Sequence, residues 1–445
     1  MHRHWFDASA MADVLNADFA LAEKNTLYRC LDKRVVHKDE LFKFLCTRWG
    51  ELFDAKFDVL LYDLTSTYFK SDTPREEDDL RQYGYSRDKR SDCRQVVIGL
   101  IVTPEGFPLS YEVLAGNTRD SSTLSEFLKR IETHYGRANR IWVMDRGVPT
   151  EDSLSQMRQM GASYLVGTPK GRLTKLEKAL LSEPWDRVRE GVEVKRLAQG
   201  EETYVLAQSA ARINKERAMR QRRLKRYVAR LKALRGQTLS RDQLLMKVGA
   251  AKKDAGRAAN LVRLLLPGKD EAVTQDSFGF ALNRAKLRQV RRREGRYLLR
   301  TNLNGRDPDQ LWTFYVQLTE VEQAFKELKH DLAVRPIYHW LESRIEAHLF
   351  VAFLAYCLQV TLKANLKQFA KGLTPREVLA KFKTIQMVDV HVPTTDGRVL
   401  VLSRYTQPEP EHRMILDLLR LTLPGQPPPK ITTKQIRSMP ESAVM

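Results

Sequence analysis

Short, nearly continuous apolar runs punctuate the first third of the chain: "DVLLYD" (58–63), "QVVIGLIV" (95–102), "FPLSYEVLAG" (107–116) and "RIWVMD" (140–145). Runs of this length and content are expected of strands buried on both faces. Before them, residues 1–57 carry the three-and-four spacing of helices, as in "MADVLNADFALAEKNTLYRCL" and "KDELFKFLCTRWGELF". Between the last two strand candidates lies a helical pattern, "SSTLSEFLKRIETHYG", with Ser121 or Ser122 placed to cap it. A further strand, "ASYLVGT" (162–168), follows another short helix. Strand, strand, strand, helix, strand, helix, strand predicts an α/β plan in which an antiparallel meander leads into parallel strands.

From about Pro169 to Glu294 the pattern changes to short β-like pieces, "EGVEVKRL" and "ETYVLAQS", and then a basic run from Arg212 to Arg235. That run holds eleven Lys/Arg and a single Glu, with Leu224, Val228, Leu231 and Leu234 at helical spacing. It reads either as a solvated helix with one apolar seam or as a contact for a DNA backbone, with Arg222, Arg223, Lys225 and Arg226 as the candidate contacts. After "GRYLLRTNL" (295–303), one long helix is expected from about Pro308, and the Pro-rich "PGQPPPK" (424–430) is expected to open an unstructured tail.

The helix after Pro308 repeats Leu311, Phe314, Leu318, Val321, Phe325, Leu328 and Leu332 at steps of three and four, which makes one apolar face. Tyr315, Glu322 and Lys329 are seven apart and form a second stripe along its edge. Glu322 either pairs with Lys326 one turn on, a surface contact of small worth, or looks into a groove. Asp63 and Asp145 each end an apolar run, where a carboxylate is expensive to bury unless its charge is compensated. Two strand-end aspartates and a helical glutamate would give hard oxygen ligands suited to Mg²⁺ or Mn²⁺. Two such ions, about 3.5–4 Å apart, serve phosphodiester displacement.

Composition narrows the partners. With 75 Lys+Arg against 55 Asp+Glu the net charge is +20, which favours a polyanion, nucleic acid first. At 445 residues the chain calls for two to four structural units. Cys30, Cys46, Cys93 and Cys357 lie far apart without a C-x-x-C, which argues against a zinc ribbon or a disulfide framework and suits a reducing, cytoplasmic setting. "LFVAFLAYCLQV" from Leu349 is too short to span a bilayer, so no membrane association is expected. His339, Glu346 and His348 read as packing and capping residues, with no third nitrogen or sulfur ligand spaced to join them. No Walker loop, dinucleotide fingerprint or serine-hydrolase order stands out.

"YDLTSTYF", "GYSRDKRSDCRQVVIGLIV", "GFPLSYEVLAGNTRDSSTL", "VMDRGVPTEDSL" and "YVQLTEVEQAFKELKHDLAVRPIYHW" together resemble the DDE transposases of bacterial insertion sequences. The resemblance is to the IS-four branch, marked by a Tyr-x2-Arg-x3-Glu-x6-Lys signature, and covers roughly residues 25–365. It implies a ribonuclease-H-like mixed sheet with flanking helices, interrupted by an α+β insertion domain and preceded by a small helical region. In that division residues 1–57 are the N-terminal region, 58–169 and 295–370 the two parts of the catalytic domain, 170–294 the basic insertion, and 371–445 a C-terminal region with its tail. The gap of 322 − 145 = 177 residues is longer than a bare core needs and fits the insertion.

The resemblance implies Asp63, Asp145 and Glu322 as catalytic metal ligands for two Mg²⁺ or Mn²⁺ ions, and Tyr315 and Lys329 as residues that serve the site and contact transposon-end DNA. Where the signature has Arg, this chain has Leu318, and Lys326 or Arg335 is the candidate replacement. Arg87, Lys89 and Arg90 in the loop "YGYSRDKRSD", and Arg146 beside Asp145, are further candidate DNA contacts. The implied activity is cut-and-paste transposition: cleavage at terminal inverted repeats and strand transfer into target DNA by a homodimer on paired ends. The alternatives are a nuclease of the same fold without strand transfer, and an inactive basic DNA-binding relative, for which Leu318 and the short N-terminal region speak.

Overall fold

The computed structural model describes the chain except residues 1–5, 7–8, 16–19, 21–22, 71–78, 119–123, 137–138, 169–175, 177–178, 181, 270, 333, 340 and 433–445. The cap expected at Ser121 or Ser122 lies outside the described residues. The chain divides into two compact units: residues 1–141, 147–156 and 317–445 form the first, residues 142–146 and 157–316 the second.

In the first unit, helices α1 (Lys24–Val35) and α2 (Lys38–Phe53) precede an antiparallel meander of β1 (Val59–Tyr68), β2 (Gln95–Val102) and β3 (Pro108–Ala115), in spatial order β3-β2-β1. β2 is buried at every position, as its unbroken apolar run predicts. β1 runs five residues past the expected end, so Asp63 is the fifth residue of ten and pairs with Leu100 of β2. The extension is carried by Thr65, Ser66 and Thr67, which are buried opposite Ile98, Val97 and Val96. Their short, β-compatible side chains let the strand continue where the apolar run stops.

Helix α3 (Leu124–Tyr135) leads to β4 (Ile141–Met144), and α4 (Glu151–Gln159) to β5 (Ser163–Gly167). In the second unit the sheet order is β4-β5-β11-β8-β7-β6, with β6 (Asp186–Arg189), β7 (Val192–Gln199), β8 (Glu202–Ser209) and β11 (Arg296–Thr301). β11 pairs antiparallel with both β5 and β8. Buried Glu202 of β8 ties this sheet: it accepts from Arg300 Nε of β11 at 2.7 Å, from Arg158 of α4 at 2.7 Å and from the Tyr164 hydroxyl of β5. Between β8 and β11 run α5 (Ala210–Arg235), α6 (Arg241–Ala255), the hairpin β9 (Val262–Leu265) and β10 (Gly279–Leu282), and α7 (Arg284–Arg293). α5 and α6 pack through Tyr227, Leu231, Leu234, Leu244 and Val248, and Ser240 with Gln243 forms a capping box on α6.

The single helix expected from Pro308 is two helices, α8 (Pro308–Val316) and α9 (Leu318–Lys326), interrupted at Gln317 and followed by a π-helical turn, Glu327–Asp331. The apolar positions hold: Leu311, Val321, Phe325 and Leu328 are buried. The continuous edge stripe does not, because the break at Gln317 and the wider π turn change the angular step on which Tyr315, Glu322 and Lys329 would align. In the first unit α9 packs on β1 and β2, and α10 (Glu342–Phe369) packs on α1. α10 is longer than its apolar run suggested, and by length and composition it could cross a bilayer. Ile345, Leu349, Phe350, Phe353 and Tyr356 on it are nevertheless buried, with Phe353 stacked on Tyr111 of β3 at 4.0 Å between ring centres, as in a core helix.

The C-terminal part holds α11 (Pro375–Phe382), β12 (Met387–Pro393), β13 (Val399–Tyr405), α12 (Pro410–Leu419) and β14 (Lys430–Thr432). The Pro-rich segment thus leads into a strand: β14 pairs with β13, and the Arg404 guanidinium donates to the Pro427 carbonyl at 2.7 Å.

Candidate active site

Asp63 is half-buried in a strand whose neighbours Leu60, Leu61, Tyr62 and Leu64 are at most 1% exposed. The alternation of the strand gives Asp63 the face of Leu61, Thr65 and Thr67. α9, packed on this strand, carries three glutamates in different states. Glu320 accepts from Lys363 of α10 at 3.1 Å, and Glu327, at the start of the π turn, is buried and accepts from Gln323 at 2.9 Å. Glu322 is exposed, and among the described residues it has no hydrogen-bond or ion-pair partner; the alternative pair with Lys326 does not form. Val321, Ala324 and Phe325 anchor the helix, so Glu322 projects from a fixed base.

In the second unit Asp145 follows directly on β4, whose four residues are all buried, and it is itself exposed. The Tyr315 hydroxyl of α8 donates to Asp145 Oδ1 at 3.1 Å. Burial and the negative charge of Asp145 push the Tyr315 hydroxyl well above its ordinary pKa, so it stays a donor at any working pH. Its ring sits against Tyr297 and Trp312, 6.0 and 6.4 Å between centres. Gly167, ending β5, leaves room for the pair: a Cβ there would lie 2.7 Å from the Tyr315 hydroxyl and 3.1 Å from Asp145 Oδ1. Sequence reasoning named Tyr315 and Asp145 but not Gly167, since a glycine closing a strand carries no signal of what approaches it.

Lys329 of the π turn and Arg335 in the first unit converge on one carboxylate that sequence reasoning passed over. Lys329 Nζ donates to Asp88 Oδ1 at 3.0 Å, and an Arg335 guanidinium nitrogen lies 2.6 Å from the same oxygen. Burial lowers the Lys329 ammonium pKa, although Asp88 pulls the other way. The signal was an acid inside a basic loop, "SRDKRSD". In that loop the Arg87 amide donates to Ser66 Oγ of β1 at 3.3 Å, Lys89 takes a left-handed conformation (φ 60°), and Arg90 pairs with Asp92 at 2.9 Å while lying over the Tyr68 ring.

Arg222, Arg223, Lys225 and Arg226 are all exposed on α5, and among the described residues none is ion-paired. Others of the run are engaged: Arg220 with buried Glu294 and Arg230 with Asp254. Lys326 and Arg146 are exposed; Leu318, at the first position of α9, is half-buried with the apolar face. His339 and His348 pack 5.3 Å apart, His348 lies 3.1 Å from the Val334 carbonyl and Glu346 accepts from Lys38, which are packing roles.

Among the described residues, no three His, Cys, Asp or Glu side chains gather closely enough to hold a metal ion. The donor chemistry of Asp63, Asp145 and Glu322 fits a hard divalent cation: all three offer carboxylate oxygens, Asp145 and Glu322 are exposed, and Glu322 has nothing to release.

Comparison with known proteins places these residues in context. No protein of curated function matches the chain. Among solved structures, a piggyBac transposase synaptic complex with hairpin DNA is similar at 10% identity and a TM-score of 0.36. The match covers 75% of this chain and 55% of that one, so this chain spans about half the length of that transposase. Residues 56–358 match the family described as Transposase DDE domain, a stretch that takes in Asp63, Asp145, Tyr315, Glu322 and Lys329. With about two thirds of its length inside that match, the chain belongs to the DDE-domain transposase family.

Proposed function

We propose that this protein is a cut-and-paste DNA transposase of the IS-four branch, which cleaves at terminal inverted repeats and joins the freed 3′ ends to target DNA. The observation that carries the reading is the Tyr315–Asp145 hydrogen bond, which joins the signature Tyr to the second aspartate across 170 residues of sequence, within the span of the family match. Asp63, Asp145 and Glu322 act as the catalytic carboxylates. Two Mg²⁺ or Mn²⁺ ions bound to them would supply an activated attacking oxygen and a stabilised leaving oxygen.

The remaining steps belong to the chain's own groups. Tyr315 fixes one oxygen of Asp145 and leaves the other for the metal-bound substrate. Lys329, with Lys326 or Arg335 in place of the missing signature Arg, holds a phosphate of the cleaved strand. Arg87, Lys89, Arg90 and Arg146 add backbone contacts, and Arg222, Arg223, Lys225 and Arg226 form a sequence-independent patch for duplex DNA. Paired ends call for a homodimer, working in the cytoplasm on the nucleoid.

The test is a cleavage and strand-transfer assay with Mg²⁺ on DNA carrying the ends of the element that encodes the protein, comparing wild type with Glu322→Gln. The expected result is nicked and joined product from wild type and a loss of about 10³-fold in the variant, several kcal/mol of transition-state stabilisation, with DNA binding retained. Nicks without joining would mean a nuclease. Equal binding and no cutting by either protein would make it a DNA-binding relative, with Leu318 the first place to look.

A further inference from the structure

The contact of Lys329 and Arg335 with Asp88 is out of keeping with two cations held ready for DNA. Their side chains are 10% and 18% exposed and the carboxylate that meets them is 11% exposed, so this is a closed ion cluster and not a surface pair. It is also unevenly built. Both cations address Oδ1, while Asp88 Oδ2 is buried and accepts nothing among the described residues. Buried carboxylates ordinarily satisfy both oxygens. The loop bearing Asp88 is fastened beside β1 through the Arg87 amide and Ser66, and its turn is closed by the Arg90 amide on Ser86 Oγ at 3.0 Å. Arg87 adds a third positive charge close enough to disfavour the charged form of Lys329.

We propose that Lys329 and Arg335 form a binding site for a DNA backbone phosphate that is closed in the free protein by Asp88, whose carboxylate occupies the place of the phosphate until DNA displaces it. The inference rests on the DNA-binding reading above. A phosphodiester offers two non-bridging oxygens on a tetrahedral centre, so it can give each cation its own acceptor, where Asp88 offers both the same oxygen. Displacing Asp88 frees the 84–93 loop, with Lys89 and Arg90, to follow the strand, so the loop and the phosphate site open together. Asp88 thereby keeps the end of the Glu322-bearing helix neutral until DNA arrives.

The test is binding of a fluorescent random-sequence duplex across a salt series, with wild type, Asp88→Asn, and Asp88→Asn combined with Lys329→Gln. Asp88→Asn should bind more tightly, and its plot of log K against log salt should steepen by about 0.9, the amount for one added phosphate contact, so that its advantage shrinks about 3.5-fold between 50 and 200 mM salt. Adding Lys329→Gln should remove both effects. Lys329→Gln alone, which does not depend on Asp88→Asn folding, should leave affinity within about twofold, because the ammonium exchanges one anion for another. An unchanged slope in Asp88→Asn, or a tenfold loss in Lys329→Gln alone, would overturn the closed site while leaving the DNA reading intact. No binding by any form, wild type included, would overturn both.

Discussion

A methyl group added at Gly167 would test whether the Tyr315–Asp145 pair is the fixed point of the second unit. Gly167 has a backbone conformation open to any residue, so Gly167→Ala costs nothing at the backbone, and the strain falls on what the Cβ meets. To regain an ordinary contact of 3.4 Å the Tyr315 hydroxyl must withdraw by about 3.4 − 2.7 = 0.7 Å. The ring is held by Tyr297 and Trp312, so it cannot swing aside freely, and the 3.1 Å bond to Asp145 is lost or Asp145 moves with it. Overpacking of this size costs about 1–2 kcal/mol of stability. Moving a reacting group by a fraction of an ångström costs roughly 10- to 100-fold in rate. The assay is urea unfolding together with cleavage at saturating DNA. Tyr315→Phe removes the atom the methyl meets, so Gly167→Ala with Tyr315→Phe should be more stable than the two single effects predict, by about 1 kcal/mol of coupling. Strict additivity, or a Gly167→Ala protein with wild-type rate and stability, would refute the reasoning.

Other outcomes follow from the same kind of packing and charge. A Cβ at Gly116 would overlap the carbonyl oxygens of Gln95 and Gln82, backbone atoms that cannot yield, so Gly116→Ala should cost at least about 3 kcal/mol in chemical unfolding; a loss under 1 kcal/mol would show that the turn relaxes. Glu202→Gln leaves buried Arg300 without its counter-charge and should cost about 3 kcal/mol, read as a lowered urea midpoint with an unchanged slope. Burial pushes the Asp79 carboxyl up, but hydrogen bonds and charge from Arg81 outweigh it and hold it below the usual carboxylate range. Since the folded value lies below the unfolded one of about 3.9, the pair stabilises the fold above roughly pH 4 and the contribution is lost as pH falls through the folded value. Thermal unfolding at about pH 5 and pH 3 should therefore show a smaller acid-induced drop in Asp79→Asn than in wild type, and equal drops would count against it.

The sequence by itself determined the elements whose apolar pattern has one solution. β2 and β4 are buried throughout because continuous Val, Ile, Leu and Met leave no polar face to expose, and the basic run of α5 is one helix because its few apolar residues fall at helical spacing. The exposed Asp145 after β4 and the solvent-facing Glu322 on a helix with a buried apolar stripe were legible for the same reason. Continuity was not legible. Val316, Gln317 and Leu318 are compatible with an unbroken helix, and only packing decided that the helix ends and restarts there and then widens into a π turn at Lys329. β1 likewise outran its apolar run because β2 supplied partners for Thr65, Ser66 and Thr67. Asp88 lies 241 residues from Lys329 and Gly167 lies 148 residues before Tyr315 (315 − 167), separations over which no local period carries information. Local pattern sets which face of each element is buried; which acid meets which base, and which glycine makes room for them, depends on long-range packing that the tertiary structure alone specifies.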